Sequence, residues 1–241
     1  IGQNYGGRCL DFMNLKLTEA SAEPATQEEV ETTVKVMGGE DWQLWIDALS
    51  SAGVLSEGFC TVAYSYIGPK LSHPIYRDGT IGQAKKHLEQ TAQNLNAQLK
   101  KSVNGSAYVS VNKGLVTRSS AVIPIISLYL AVLFKIMKAK GIHEGCIEQI
   151  ERLFAERLYT GSDCAMASVP VDSENRIRID DWELRDDVQA EAEKAMDAVN
   201  DGNVSQYCDI EGYKHDFLVT NGFDVEGVDY DKDVARMEVI D

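Results

Sequence analysis

A tyrosine and a lysine nine positions apart, Tyr76 and Lys85, are the residues of this chain best suited to proton transfer. A phenol beside a fixed ammonium has its phenolate form favoured, which lowers the pKa of the phenol and lets it donate a proton near neutral pH. On one continuous helix, nine steps of about 100° would put the two side chains on opposite faces. They converge only if a helix begins after Tyr76. The spacing alone also fits a surface tyrosine and a solvated lysine.

Strand signals flank this pair. Thr61–Ile67 is rich in β-branched and aromatic residues, and Gly68 and Pro69 end the run, so we predict a strand there. Tyr108–Asn112 predicts a second strand, parallel to the first and reached by a right-handed crossover. Lys113–Thr117 follows the second strand, and ligands of open parallel sheets bind beyond the carboxyl ends of the strands. A plain turn between strand and helix is the alternative for Lys113–Thr117.

A helix is predicted between these strands. Thr80 and Gln83 have the spacing of a capping box, which places the helix start near Ile81 and its end near Lys100. Tyr76 would then lie in the loop ahead of the cap, and Lys85 just over one turn inside the helix. The helix start therefore supplies the break that the pair needs.

The segment YSYIGPKLSHPIYRDGTIGQAK, residues 64–85, resembles the signature of the trans-2-enoyl-CoA reductase and FabV-type enoyl-acyl-carrier-protein reductase family. That family is a branch of the short-chain dehydrogenase/reductase superfamily with a Y-x8-K pair, which Tyr76 and Lys85 match. Further matches extend along nearly the whole chain: VMGGEDW at 36–42, VNKGLVTR at 111–118, HEGCIEQI at 143–150, RIRIDDWEL at 176–184 and GVDYDKDV at 227–234.

The resemblance implies NADH-dependent reduction of the trans-2 double bond of an enoyl-CoA or enoyl-acyl-carrier-protein thioester, in fatty acid synthesis. Tyr76 would donate the proton or hydrogen-bond the enolate oxygen, and Lys85 would hold the ribose hydroxyls of NADH and lower the pKa of Tyr76. Tyr66 would orient the thioester. Contacts with the nicotinamide end of the cofactor are expected from Leu115, Val116 and Thr117. The resemblance is closer to the CoA-type members in two segments, SYIGP and VNKGLVTR. This favours a short CoA thioester as the substrate.

The fold class implied is α/β, the C-terminal part of a Rossmann-like parallel-sheet reductase with added substrate-binding helices. Residues 1–60 would form a connecting segment and helices, 61–120 the β-α-β part, and 121–241 the pocket helices and an acidic C-terminal region. No glycine-rich turn follows a strand, so we expect the N-terminal NAD-binding portion to be absent and supplied by a missing segment or another chain. The alternative is a non-catalytic structural or acyl-binding subunit that has lost its cofactor half.

The N-terminal residues predict local structure only. Residues 1–25 suggest an irregular connection with a short hairpin. Thr26 and Glu29 form a capping box that opens a helix ending near Met37. Asp41 is expected to cap a second helix, Trp42–Ala52, in which both tryptophans, Trp42 and Trp45, are core anchors.

The most apolar run, Ala121–Met137, predicts a buried helix in preference to a membrane span, because it contains Pro124 and is short for a span. In the family a helix here borders the acyl pocket. A further helix is expected at Glu144–Tyr159, and His143 at its start is interpreted as structural. The candidate pocket residues are Ile125, Ile126, Tyr129 and Phe134.

The C-terminal third predicts a loop at 160–175 and an acidic helix from Asp180 to Asn200 with a solvated carboxylate face. A carboxylate metal site is the sharper alternative, but the spacing does not gather ligands on one side, so we predict no metal. A last short helix at Tyr213–Asn221 would end at Gly222, and an acidic tail would follow.

Charge and cysteine content bound the partners. The chain of 241 residues has a formal net charge of −15, which argues against nucleic acid and anionic membrane surfaces as ligands. Its five cysteines are odd in number, widely spread and without a C-x-x-C motif. This pattern predicts reduced thiols, hence the cytoplasm or alternatively the mitochondrial matrix.

Overall fold

The computed structural model describes residues 2–12, 14–161 and 168–233. A 3-10 turn at Lys70–Ser72 and a π-helical turn at Phe154–Leu158 supplement the regular elements. In chain order these are β1 (Tyr5–Asp11), β2 (Lys16–Ala22), α1 (Gln27–Met37), α2 (Glu40–Ser51), β3 (Cys60–Ser65), α3 (His73–Tyr76), α4 (Thr80–Val103), β4 (Ser106–Val111), α5 (Ile126–Ala139), α6 (Cys146–Leu153), β5 (Arg176–Arg178), α7 (Asp186–Ala198), α8 (Val204–Tyr207) and α9 (Ile210–Thr220).

The central sheet has the strand order β3-β4-β5, and both pairings are parallel. The predicted β-α-β unit and the α/β class are therefore confirmed. The third strand, β5, was not predicted, because its sequence Arg-Ile-Arg is short and charged. Its Arg176 side chain is stabilised by Glu89 on α4 and by Asp172, so the charges are paired at the sheet margin. The division of the chain at residues 60 and 120 stays a prediction.

The hairpin β1-β2 pairs seven residues on each strand, from Tyr5 opposite Ala22 to Asp11 opposite Lys16. It is longer and more regular than the short hairpin expected. The Tyr5 hydroxyl donates to the carbonyl of Leu71, which ties the hairpin to the loop that carries the candidate site. The capping box at Thr26 and Glu29 is confirmed at the start of α1.

The start of α2 differs from the prediction. Its N-cap is Gly39 and not Asp41, which lies inside the first turn. Glycine is required there because a Cβ would overlap the side chain of Thr91 on α4. Trp42 packs against the core as predicted, whereas Trp45 is 68% exposed, so the expectation that it anchors the core was wrong.

The start of α4 also lacks the predicted cap. Gly79 is the N-cap, no side chain caps the helix, and Thr80 is its first residue. The cause is close packing on the preceding turn, since a Cβ on Gly79 would lie 2.8 Å from the carbonyl oxygen of Ile75. Tyr76 accordingly ends the short helix α3 and does not lie in a loop. The break between α3 and α4 that convergence with Lys85 requires is confirmed.

The apolar helix α5 forms the centre of the largest core cluster, and it begins at Ile126 and not at Ala121. Pro124 lies in the turn ahead of the helix, where its missing N–H costs nothing. Packing against β1, α7 and α9 buries the helix. Among residues 2–12, 14–161 and 168–233, no helix is both long and apolar enough to cross a membrane.

Three further helix boundaries were shifted. α6 starts at Cys146 and passes into the π-helical turn at Phe154, in place of one helix over 144–159. α7 starts only at Asp186, and its solvated acidic face is confirmed. α9 starts at Ile210 and ends ahead of Gly222, as expected. Of the predicted loop and tail, residues 162–167 and 234–241 lie outside the described residues.

Candidate active site

A cavity of about 300 Å³ opens beyond the carboxyl ends of β3 and β4. Parallel strands present their carboxyl ends at one edge of a sheet, so the loops after β3 and β4 meet there. The wall also includes residues of α4 and α5. Among the side chains that line it are Tyr66, Tyr76, Lys85, Leu115, Thr117 and Ile126.

The predicted pair meets in this cavity. The Nζ atom of Lys85 lies 4.5 Å from the ring centroid of Tyr76 and 5.6 Å from that of Tyr66. The two rings touch edge to face, with centroids 4.9 Å apart. An ammonium over two aromatic faces is attracted by the negative charge of both π-systems. The three residues therefore form one cluster, although they come from three different segments.

Lys85 is buried, with 8% of its surface exposed. Burial is the main cause that lowers the pKa of its amino group to about 7, while nearby Glu89 opposes the shift and Arg77 adds to it. Among the described residues Nζ has aromatic contacts and no hydrogen-bond acceptor. Its N–H donors are thus available to hydroxyl groups of a ligand.

Tyr76 is only partly buried and lines the same cavity. Burial, reinforced by the negative charge of Glu183, raises the pKa of Tyr76 to about 12. The expectation that Lys85 lowers this pKa is therefore not confirmed, because burial and the charge of Glu183 both raise it. A phenol with a raised pKa is protonated at neutral pH but is a weaker acid than an ordinary tyrosine, so the proton is present and its transfer depends on the negative charge that develops on the substrate.

Glu183 is the residue of this site that sequence reasoning missed. It is fully buried on the turn between β5 and α7, directly behind Tyr66. Its Oε1 atom accepts hydrogen bonds from the hydroxyls of Tyr66, at 3.1 Å, and Tyr129, at 2.8 Å. Its Oε2 atom accepts one from the backbone N–H of Gly114 at 2.6 Å. The one available signal was its place in the segment RIRIDDWEL, in which acidic residues alternate with large apolar ones.

The predicted cofactor residues follow β4. Leu115 and Thr117 line the cavity beside Lys85. Val116 is 6% exposed and packs in the main core, and it is not among the residues that line the cavity. The Thr117 turn is fixed by Ser120, whose hydroxyl accepts from the Thr117 N–H at 2.9 Å. These three cofactor assignments stay predictions.

Of the four candidate acyl-pocket residues, the structure places only Ile126 at the cavity wall. Tyr129 is fully buried and bonds Glu183, and Phe134 is fully buried beneath the ammonium of Lys113. Ile125 packs on the hairpin at Gly7. Leu130, which was not predicted, lines the cavity in addition.

His143 contacts the ring of Phe134 and does not line the cavity. Burial, reinforced by the charge of Lys113, lowers the pKa of His143 to about 4. The imidazole is thus neutral at ordinary pH, and its position agrees with the structural interpretation.

Comparison with known proteins gives two family matches. Residues 1–159 match the profile described as the trans-2-enoyl-CoA reductase catalytic region, which includes all six predicted site residues. Residues 171–234 match a profile described as the enoyl reductase FAD binding domain. Among the described residues none from 171–234 lines the cavity. A flavin bound in the cavity would therefore have no contact with the region that this second profile covers.

The chain is 56% identical over 240 residues to the trans-2-enoyl-CoA reductase [NADH] of Treponema denticola, covering 100% of this chain and 59% of that protein. It is 52% identical over 240 residues to the enoyl-[acyl-carrier-protein] reductase [NADH] of Coxiella burnetii, covering 100% of this chain and 58% of that protein. The chain thus spans less than two thirds of the length of these curated relatives.

The crystal structure of the Treponema denticola trans-2-enoyl-CoA reductase in complex with NAD superposes with a TM-score of 0.91 at 57% identity. The superposition covers 99% of this chain and 58% of that one. The family profile, the curated relatives and the superposed fold agree, and the chain belongs to the trans-2-enoyl-CoA reductase family.

Proposed function

We propose that this protein takes part in NADH-dependent reduction of the trans-2 double bond of an enoyl thioester, in fatty acid synthesis. The observation that carries the proposal is the meeting of Tyr76 and Lys85 in a cavity at the carboxyl ends of two parallel strands. Relatives more than half identical to this chain are named as NADH-dependent reductases of such thioesters.

NADH, when bound, supplies the hydride that adds to the β carbon of the substrate. Lys85 would hold the ribose hydroxyls, because its N–H donors face the cavity without a protein acceptor among the described residues. Leu115 and Thr117 would border the nicotinamide, and Val116 would contribute backbone contacts. The cavity of about 300 Å³ would accommodate one end of a dinucleotide, so the pyrophosphate would need a glycine-rich turn from a further segment or chain.

Tyr76 would donate its proton to the substrate as negative charge develops on the thioester oxygen. Its hydroxyl has no hydrogen-bond partner among the described residues, and its raised pKa keeps the proton in place at neutral pH. A donor aimed at a developing oxyanion typically lowers the barrier by about 3–4 kcal/mol. Tyr66 would help to orient the thioester through its ring, which packs edge to face against Tyr76.

The substrate is proposed to be an acyl-CoA or acyl-acyl-carrier-protein thioester, with a short CoA thioester favoured by the sequence. We place the reaction in the cytoplasm, because Cys9, Cys60, Cys146 and Cys208 are free thiols, as expected in a reducing compartment. No step is assigned to a flavin.

The test is Tyr76→Phe in the complete polypeptide that the gene encodes, assayed with NADH and crotonyl-CoA. Loss of the hydroxyl is expected to lower kcat/KM by about a hundredfold or more. The melting temperature should stay near that of the wild type, since the hydroxyl has no protein partner to lose among the described residues.

Tyr159→Phe is the matched control, because Tyr159 lies outside the cavity and is expected to leave turnover unchanged. A Tyr76→Phe enzyme with activity within tenfold of wild type would contradict the assignment. A wild-type protein that binds an acyl thioester without consuming NADH would instead support the non-catalytic alternative.

A further inference from the structure

The carboxylate behind Tyr66 has an unusual set of partners. Glu183 is 0% exposed, yet among the described residues it forms no salt bridge. Its two oxygens are held by two phenols and one backbone amide, from Tyr66, Tyr129 and Gly114. A buried carboxylate is costly unless its oxygens are hydrogen-bonded, so this arrangement implies a role beyond packing.

The direction of each hydrogen bond follows from the partners. The Gly114 amide can only donate. The Tyr129 oxygen already accepts from the side-chain amide of Gln189 at 3.1 Å, which leaves its proton for Glu183. With both of these groups donating, the acceptor-only carboxylate form fits the site, and Tyr66 donates as well.

This direction decides what Tyr66 presents to the cavity. A phenol has one proton, and that of Tyr66 points to Glu183, away from any thioester oxygen. The Tyr76 hydroxyl has no such partner among the described residues and lines the cavity. We propose that Glu183 is a positioning residue that engages the Tyr66 proton, fixes the Tyr66 ring against Tyr76 and leaves Tyr76 as the phenol that donates to the substrate.

The packing around Tyr66 supports this assignment. Its hydroxyl is so close to Gly68 that a Cβ on that glycine would overlap it, and a Cβ on Gly114 would lie 3.3 Å from it. Both glycines therefore hold the phenol in one orientation, with Glu183 at its tip. The ring contact with Tyr76, 4.9 Å between centroids, then transmits that orientation to the donor.

Two charged groups act on Glu183: Lys113 after β4 stabilises the carboxylate, and Asp180 on the preceding turn opposes it. Tyr66 and Tyr129 supply neutral hydrogen-bond donors. Burial raises the pKa of Glu183, and the Gly114 amide and Lys113 act against that rise. Glu183 in turn contributes, after burial, to the raised pKa of Tyr76.

The kinetic test rests on the proposed function and compares Glu183→Gln, Tyr66→Phe and the double variant in the complete polypeptide. If Glu183 acts through Tyr66, each single change is expected to lower kcat by about tenfold with a smaller change in KM, and the double change to lower it little further. Losses that multiply in the double variant would overturn the inference.

A titration test does not depend on turnover. Tyrosine carrying ¹³C at Cζ reports ionisation by NMR, and Tyr76→Phe identifies the Tyr76 resonance. Removing the charge in Glu183→Gln is expected to lower the pH at which Tyr76 ionises by on the order of one unit. Glu144→Gln is the matched control, since Glu144 is also a buried carboxylate but pairs with Arg152, and it is expected to cost stability without moving Tyr76.

An unchanged Tyr76 titration in a folded Glu183→Gln protein would overturn the inference, as would an equal shift in Glu144→Gln. A wild-type protein that does not reduce crotonyl-CoA would contradict the proposed function alone, because the titration would still decide what Glu183 does to Tyr76.

Discussion

Lys85 shows how burial and function are connected at a single residue. Its stem is buried on α4, and its ammonium lies over two tyrosine rings with no carboxylate of the described residues bonded to it. The next residue, Lys86, is rotated by about 100° around the helix and is exposed. Neighbouring lysines therefore offer a built-in comparison between a cavity position and a surface position.

We predict that Lys85→Met weakens NADH binding by about tenfold or more and lowers turnover, because the donors to the ribose hydroxyls are lost. Lys86→Met should change either quantity by less than about twofold, as expected for a solvated surface group. Dissociation constants measured by NADH fluorescence in the complete polypeptide decide between the two. Equal losses in both variants would mean that the Y-x8-K register is assigned to the wrong lysine.

At the scale of elements, the loops after β3 and β4 are positioned by close contact at glycines. Gly68 has a φ of +72°, which L side chains rarely adopt, and it also abuts the Tyr66 hydroxyl. Gly114 lies where a Cβ would approach Leu130 Cδ2 to 2.7 Å. The two loops can therefore approach each other around Tyr66 only without side chains at these positions.

Gly114→Ala is predicted to destabilise the protein by about 1–3 kcal/mol and to lower turnover by at least about tenfold, because the new methyl group displaces Leu130 and Tyr66. Denaturant unfolding and steady-state assay would measure the two effects. Gly202→Ala is the control, since Gly202 is exposed, and its unfolding free energy should change by less than about 0.5 kcal/mol. Wild-type turnover in Gly114→Ala would show that the loop contact does not position the site.

At the scale of the whole molecule, buried lysines make stability depend on pH. The pKa of Lys85 falls to about 7 and that of Lys113 to about 8, from an ordinary value of 10.5. Between the lowered pKa values and 10.5 the unfolded chain binds more protons than the folded one. These two lysines therefore make stability rise with pH from about 7 to about 10. Below that window both lysines are charged in either state and their full destabilising effect is present.

Lys85→Met is accordingly predicted to stabilise the fold while it impairs NADH binding, by on the order of 2 kcal/mol at pH 7 and by less as the pH approaches 10. Unfolding by urea at several pH values, with Lys86→Met as the control, would measure this difference. A stabilisation that does not shrink with rising pH would contradict the assigned effect of burial.

The sheet edge leads to a second prediction at this scale. Within the described residues β3 pairs only with β4, and Tyr64 on β3 is 54% exposed. An unpaired strand edge favours association with another strand. We predict that residues 1–241 alone associate or aggregate, bind NADH only weakly and do not reduce crotonyl-CoA. NADH fluorescence and absorbance would test this, and steady NADH oxidation with micromolar affinity would refute it.

The sequence by itself determined the family, the β-α-β unit, the buried apolar helix and the Tyr76-Lys85 pair. These features are local or are long matched segments, so the 3.6-residue and two-residue periodicities and the motif residues suffice to identify them. The capping box at Thr26 was predicted correctly for the same reason, since it depends on two side chains three residues apart.

Only the tertiary structure decided the rest. Gly39 and Gly79 replace the predicted caps because the starts of α2 and α4 pack closely on neighbouring segments, and Trp45 is exposed because no segment among the described residues covers it. Glu183 reaches Tyr66 from 117 positions away along the chain. The raised pKa of Tyr76 likewise depends on burial and on that distant carboxylate, because desolvation and charge act through space and leave no periodic trace in the sequence.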